Sequence, residues 1–316
     1  MSLLKYVFRK IQFVVQALTG FNEINSKMQK LDNDMHKIIN NDDVHKIKEA
    51  LGRIEQRQLT NIQANNIQHY EIRVFSQWGE DGIIQFLINN IAIENRVFVE
   101  FGVQNYTESN TRFLLINNNW SGLVIDGSKK NIEYIKRDPI YWQYNLNAVN
   151  KFITKENINQ IILDNGIKAE IGILSVDIDG NDYWVWDAID CISPAIVIVE
   201  YNSRFGPKEA VTVPYDENFT RSSVHHSMIY YGASLNAFCK LAAKKGYTFI
   251  GCNSAGNNAF FVLSGLKPEN IQELTPEEGF IAAQFRESRD SSGKLAYLSR
   301  EEELKVLSEL PLIKIN

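Results

Sequence analysis

Apolar residues recur along this chain in two rhythms, and the change between them near residue 71 divides it. Over residues 3–18, Leu3, Leu4, Val7, Phe8, Ile11, Val14, Val15 and Leu18 fall on one helical stripe, with Lys5, Arg9 and Lys10 largely off it. Such a helix either lies on a membrane surface, helped by its basic residues, or docks on a partner subunit. Ile24, Met28, Leu31, Met35 and Ile38 follow at spacings of four, three, four and three. Val44, Ile47, Leu51 and Ile54 form a second register after the break at Asn40–Asp43. Both registers have coiled-coil spacing. Residues 55–70, rich in Gln and Asn, read as a linker or a fraying helix. Residues 1–70 are thus expected to be an N-terminal helical arm that makes the protein a homo-oligomer.

From residue 71 onward, strand-like runs alternate with helical segments. The runs are Arg96–Phe101, Gly122–Asp126, Ile171–Asp177 and Ala195–Tyr201. That alternation predicts a parallel sheet covered by helices on both faces. Tyr247–Cys252 and Ala259–Leu263 flank a turn too short for a parallel crossover, so they form an antiparallel hairpin. The expected fold is α/β and Rossmann-like, a mostly parallel seven-stranded sheet with a terminal antiparallel hairpin over residues 71–265. Residues 266–316 read as a C-terminal helical segment. A sheet closed in this way resembles that of class I methyltransferases more than that of nicotinamide enzymes.

Composition narrows the classes further. A formal net charge of -5 offers no basic field for nucleic acid. Cys191, Cys239 and Cys252 are isolated, without metal-ligand spacing, as in a reducing compartment. Lys5, Arg9, Lys10, Gln12 and Gln16 interrupt the first apolar stretch, which argues against a spanning helix and a cleaved signal peptide. The expected location is cytoplasmic, peripheral to the inner face of the membrane if residues 3–18 bind it.

Ligands of such sheets sit at the carboxyl ends of the strands. The first strand ends Glu100-Phe101-Gly102-Val103-Gln104-Asn105, where Gly102 permits a tight turn and Ser109, Asn110 or Thr111 caps the next helix. The loop lacks the three glycines of a pyrophosphate fingerprint and carries Glu108 where phosphates would lie. It suits a zwitterion whose ammonium meets Glu100. Asp126, closing the second strand, can accept both ribose hydroxyls of an adenosine or cap a helix. Asn145, Asn147 and Ala148 are placed near the adenine.

The stretch Ser175-Val176-Asp177-Ile178-Asp179-Gly180-Asn181-Asp182 is the most acidic strand end. Strand alternation sends Ser175, Asp177 and Asp179 to one side, and Glu200 and Asn202 end the neighbouring strand. Oxygen donors converging there suit a hard cation such as Mg²⁺ or Mn²⁺, which would hold and acidify a substrate hydroxyl. Asp182, His225 and His226 are the candidate bases. The long connection from Arg204 to Tyr231 reads as a lid, with Arg204, Lys208, Tyr215, Arg221, Tyr230 and Tyr231 suited to a sugar or nucleotide-sugar. Residues 285–290 either return to the same mouth or form a solvated charged turn.

Ser76-Gln77-Trp78-Gly79-Glu80-Asp81, Phe98-Val99-Glu100-Phe101-Gly102 and Asp177-Ile178-Asp179-Gly180-Asn181-Asp182 together resemble FkbM-type S-adenosylmethionine-dependent methyltransferases. The last segment is also similar to the acidic strand end of metal-dependent sugar O-methyltransferases of macrolide pathways. The resemblance spans residues 72–263. It implies S-adenosylmethionine as cofactor, with Gln77, Glu100, Gly102, Asn110, Asp126 and Asp177 expected around it. It matches Asp179 and Glu200 to metal ligands, with Asn202 in place of an acid, and puts Asp182 where those enzymes keep a catalytic histidine. Gln104-Asn105 stand where a second glycine is usual. The resemblance implies O-methylation but no particular substrate, and a sugar or glycan hydroxyl is the expected acceptor. A nicotinamide oxidoreductase would need the missing glycine-rich loop. A non-catalytic assembly protein would not need the acidic cluster.

Overall fold

The strand-like runs all become strands of one sheet. The structure, a computed structural model, describes residues 41–316 together with 23, 24, 26 and 27. The stripe at 3–18 and, except for Ile24, the first coiled-coil register lie outside the described residues. The strands are β1 (Val97–Phe101), β2 (Ser121–Asp126), β3 (Leu146–Asn150), β4 (Ala169–Val176), β5 (Ile192–Glu200), β6 (Val211–Thr212), β7 (Tyr247–Cys252), β8 (Asn258–Leu263) and β9 (Ile313–Lys314). Seven of them form a sheet in the order β3-β2-β1-β4-β5-β8-β7. β1 through β5 pair in parallel, while β8 is antiparallel to both β5 and β7. This is the Rossmann-like strand order of class I methyltransferases, with the hairpin where the sequence places it.

Alternation along the strands builds a core on each face of the sheet. Val99, Phe101, Leu123 and Ile125 join Trp186 and Phe238 on one face. Phe98, Val124, Ile173 and Ile196 join Ile83 and Leu114 on the other. The hairpin turn is held by Asn253, whose Oδ1 accepts from the amides of Gly256, Asn257 and Asn258 at 3.1 Å each. Asn253 and Asn258 both donate to Glu80 Oε1 at 2.7 Å, which ties the turn to the segment that carries Gln77.

Both expected domain boundaries shift. The chain divides into two compact units between Leu51 and Gly52. Helix α1 (Asn41–Leu59) spans that point. A Cβ at Gly52 would lie 2.6 Å from Val74, so the helix backbone packs directly on the domain there. Residues 67–70 are a buried 3-10 turn and not a loose linker, because Ile67 and Tyr70 enter the core and Tyr70 stacks on Phe86 at 3.7 Å. Val44, Ile47, Leu51 and Ile54 of the second register are exposed.

The C-terminal segment is mostly irregular. Its helices are limited to Pro276–Gly279 and α2 (Arg300–Ser308). It folds back as part of the same unit: β9 pairs with β6, and Glu303 meets the buried Arg204 at 2.7 Å. The segment therefore pins the long connection after β5. No helix among the described residues is long and apolar enough to cross a membrane.

Candidate active site

The loop after β1 takes the shape of a glycine-rich turn with one glycine. Gly102 has φ +69, and a Cβ there would sit 1.6 Å from the carbonyl oxygen of Asp177. The close approach is thus to the β4 loop as well as to the cavity. Gln104 and Tyr106 adopt φ of +49 and +63, a region that costs an L-residue roughly 1–2 kcal/mol. Gln104 supplies what a second glycine would supply because its amide donates to Asp126 Oδ2 at 2.8 Å.

Glu100 is buried, and its carboxylate accepts from the amides of Asn110 and Thr111 and from the Thr111 hydroxyl. It anchors the segment that leads into the next helix, and Glu100 also lines the larger of the cavities described below. Asp126 Oδ1 accepts from Ser128 N and Asn131 Nδ2, at 2.7 and 3.0 Å.

Two cavities open at these strand ends. One of about 340 Å³ is lined by Gln77, Glu100, Gly102, Gln104, Asn110 and Asp177, among others. The second, about 210 Å³, shares Gly102, Gln104 and Asp177 and adds Asp126, Phe152 and Asn181. All six residues expected around the cofactor therefore line one cavity or the other. Asn145 and Asn147 do not. They lie at the start of β3, where Asn145 donates to Ser121 and Asn147 to Asn165. The correct end of β3 leads to Lys151, Phe152 and Ile153. Phe152 carries no motif, though a large apolar residue just past a strand that ends at the ligand edge is a usable signal. Asn181 Oδ1 is a buried acceptor with no hydrogen-bond partner, turned to the smaller cavity's wall.

The acidic residues do converge, by a different route from the one expected. β4 ends at Val176, and Asp179 takes a left-handed φ of +55, so strand alternation stops before Asp177. The turn nevertheless brings one oxygen each of Asp177, Asp179 and Glu200 within 4.8 Å of one another. Oxygens on opposite sides of one ion are about 4.2 Å apart for Mg²⁺ and up to about 5 Å for Ca²⁺. Glu200 Oε2 is buried with no hydrogen-bond partner. Three hard donors, one of them orphaned, fit a divalent cation.

Asn202 is not a fourth donor. Its Nδ2 donates to Ile229 O and Tyr231 O at 2.9 and 3.0 Å, and its Oδ1 accepts from Arg204 N. It staples the long connection to the end of β5. Asp182 is a loop anchor, with its two oxygens accepting from Ile178 N and Gly180 N at 2.7 and 2.8 Å. His225 bonds Ser227 at 2.6 Å and packs on His226, and neither histidine lines either of these two cavities. The residue at the cluster is instead Arg221, whose Nη1 meets Asp179 Oδ1 at 2.8 Å. Arg204 is buried against Glu303 and Glu287 O, so it serves the scaffold and not a substrate face. Residues 285–290 return to that scaffold, with Phe285 stacked on Trp78.

Burial sets the electrostatics of the edge. It pushes Asp182 up to about 6 and Glu100 up to about 7. It raises Asp177 and Glu200 well above the carboxylate range, with repulsion from Asp179 and Asp182 adding to it at both. A carboxyl with a raised folded pKa contributes stability that is complete below its unfolded value and lost as pH rises through the folded one. That window runs from 3.8 to about 6 for Asp182 and from 4.5 to about 7 for Glu100. In chelator, the melting temperature is therefore expected to fall between about pH 4 and pH 7. A flat or rising calorimetric profile would contradict this.

No protein-family model and no curated protein matches this chain. Solved structures similar to it include an S-adenosylmethionine-dependent methyltransferase from Clostridium acetobutylicum, at 11% identity and a TM-score of 0.38 over 59% of this chain and 91% of that one. An O-methyltransferase from Bacillus cereus in complex with SAH matches at 14% identity and 0.31, over 52% and 72%. M. capricolum TrmK, in complex with S-adenosylhomocysteine, matches at 12% and 0.34, over 72% and 84%. At these levels the likenesses carry no argument about activity. The fold rests on the strand order.

Proposed function

We propose that this chain is an S-adenosylmethionine-dependent O-methyltransferase of FkbM-like type. Its acceptor would be a hydroxyl of a sugar or glycan precursor, and a divalent metal would assist. The observation that carries this reading is the joint position of two features at one sheet edge. The paired cavities with Asp126 and Phe152 adjoin the Asp177–Asp179–Glu200 cluster, and Asp177 belongs to both. A nucleoside would place its ribose at Asp126 and its base on Phe152, leaving the methionine part in the larger, acidic cavity.

Mg²⁺ or Mn²⁺ held by Asp177, Asp179 and Glu200 would lower the pKa of a bound hydroxyl and orient it. The chain's residues supply the rest. Gly102 and Asp182 fix the two loops whose relative position sets the distance from methyl to hydroxyl, and such positioning supplies much of the rate of a displacement. The hydroxyl oxygen bonds to the methyl carbon as the carbon–sulfur bond breaks, and the sulfonium leaves as a neutral thioether. The hydroxyl proton, made more acidic by the ion, is lost to solvent water, because Asp177, Asp179 and Glu200 would be engaged as ligands. Half-buried aromatic rings at Trp184 and Tyr215, their centroids 6.5 Å apart, suit the apolar face of a sugar.

Calorimetry with S-adenosylmethionine and S-adenosylhomocysteine tests the cofactor directly, and absence of binding refutes the reading. Phe152→Ala is expected to weaken S-adenosylhomocysteine by roughly tenfold or more, since stacking on a base is worth about 1–3 kcal/mol. Phe152 is half exposed, so the fold should be unaffected. An unchanged affinity would move the base elsewhere.

A further inference from the structure

The acidic edge already holds one positive charge, and it comes from the chain itself. We propose that Arg221 is an internal counter-cation of the Asp177–Asp179–Glu200 site, and that a divalent ion entering the site displaces it and frees the turn that carries it. This rests on the metal-site reading above.

Arg221 is bound at the most exposed of the three ligands. Its Nη1 lies 2.8 Å from Asp179 Oδ1, and the Asp179 side chain is 51% exposed. The guanidinium spans the cluster's mouth, stacked on Tyr231 at 4.1 Å with Nε donating to Met228 O at 2.6 Å. Its satisfaction is incomplete: Nη2 is buried without an acceptor while Glu200 Oε2 is buried without a donor. Two opposite charges facing one site, each with an orphaned atom, indicate a site built to exchange partners rather than a finished ion pair. An ion bridging Asp179 and Glu200 would satisfy the orphaned oxygen and repel the guanidinium from the oxygen it now holds.

The carrier of Arg221 is suited to leave. It is the one-turn helix Arg221–Val224, none of whose residues is buried. Ser222 and Ser223 are exposed, and the capping residue Thr220 bonds the Ser223 hydroxyl at 2.6 Å but caps none of the helix's backbone amides. The flanking connection is anchored separately, through Asn202 to Ile229 and Tyr231 and through the Gly232 amide to Gly180 O. Arg221 can therefore swing away without undoing the loop that seats Asp179.

The test uses the full-length protein with Mn²⁺ alone as probe, its affinity read by calorimetry and electron paramagnetic resonance. Arg221→Gln removes the competing charge at similar length and is expected to tighten Mn²⁺ about tenfold, the factor for a blocking pair that is closed roughly 90% of the time. Arg221→Lys should stay near wild type. Asp179→Asn should lose binding. Hydrogen exchange on the unmutated protein gives a second readout independent of any variant: protection of amides 221–228 should fall when Mn²⁺ binds. Mn²⁺ affinity that is equal or weaker in Arg221→Gln overturns the proposal, as does protection that is unchanged or increased with Mn²⁺ bound. If neither wild type nor Arg221→Gln binds Mn²⁺, the metal-site reading itself fails and takes this proposal with it.

Discussion

Glu200→Gln is expected to make the protein more stable and nearly inactive. The substitution keeps the side-chain volume and removes one charge from a buried group of four carboxyls. Burial and then repulsion from Asp177, Asp179 and Asp182 disfavour the ionised form of Glu200, so the neutral amide relieves a cost that grows with pH. The melting temperature in chelator should rise by a few degrees at about pH 8 and change little at about pH 5. Methyl transfer should fall by about 10²–10³, the scale seen when one group that stabilises developing charge is removed. S-adenosylhomocysteine affinity should hold, because Glu200 lines neither cavity. Radiolabelled transfer to a panel of glycan precursors, set beside a calorimetric melt, measures both. Undiminished transfer would remove Glu200 from the chemistry, and a lower melting temperature at high pH would mean that its charge stabilises the fold.

Gly102→Ala should be among the most damaging single-methyl changes in the molecule. Its Cβ would overlap the Asp177 carbonyl oxygen at 1.6 Å, and the φ of +69 disfavours any side chain. Backbone, not a pliable side chain, occupies the space, so β1 and β4 would have to separate at their ends. A loss of about 4 kcal/mol or more is expected, in the class of overpacking combined with backbone strain. In a domain of this size that lowers the melting temperature by about 10 °C or more. Gly127→Ala is the control. Its Cβ would meet Phe152 Cδ2 at 3.4 Å, an ordinary contact, and Gly127 lacks a positive φ. A Gly102→Ala protein melting within about 2 °C of wild type would show that the two loops are not locked together.

Several features of the site were legible in residue order because they depend on what a strand end must look like. An acid and a glycine after β1, an acid after β2 and an acidic turn after β4 all lie where a parallel sheet delivers its loops. Misplacements arose where a side chain had two possible uses. Asn202 and Asp182 have donor or acceptor groups fit for a metal or a substrate, yet backbone amides and carbonyls within a few residues or across the lid claim them first. A local hydrogen bond to a buried amide is worth making wherever the chain can reach it. The placement of Asn145 and Asn147 failed on strand polarity, since a short run such as Leu146–Asn150 does not announce where it begins.

Residue pattern by itself determined the α/β class, the hairpin that closes the sheet, and the strand ends that bear the chemistry. These follow from periodicity and turn length, which act over a few residues. Tertiary structure alone decided that residues 52–70 and 266–316 belong to the domain, that Phe152 lines the cavity beside Asp126, and that Arg221 sits on Asp179. Each of those contacts joins residues 16 or more apart in sequence, such as Tyr70 and Phe86 at 16 and Arg221 and Asp179 at 42. Pairings at that range leave no local period to read, because they are selected by burial and charge only once the sheet has formed.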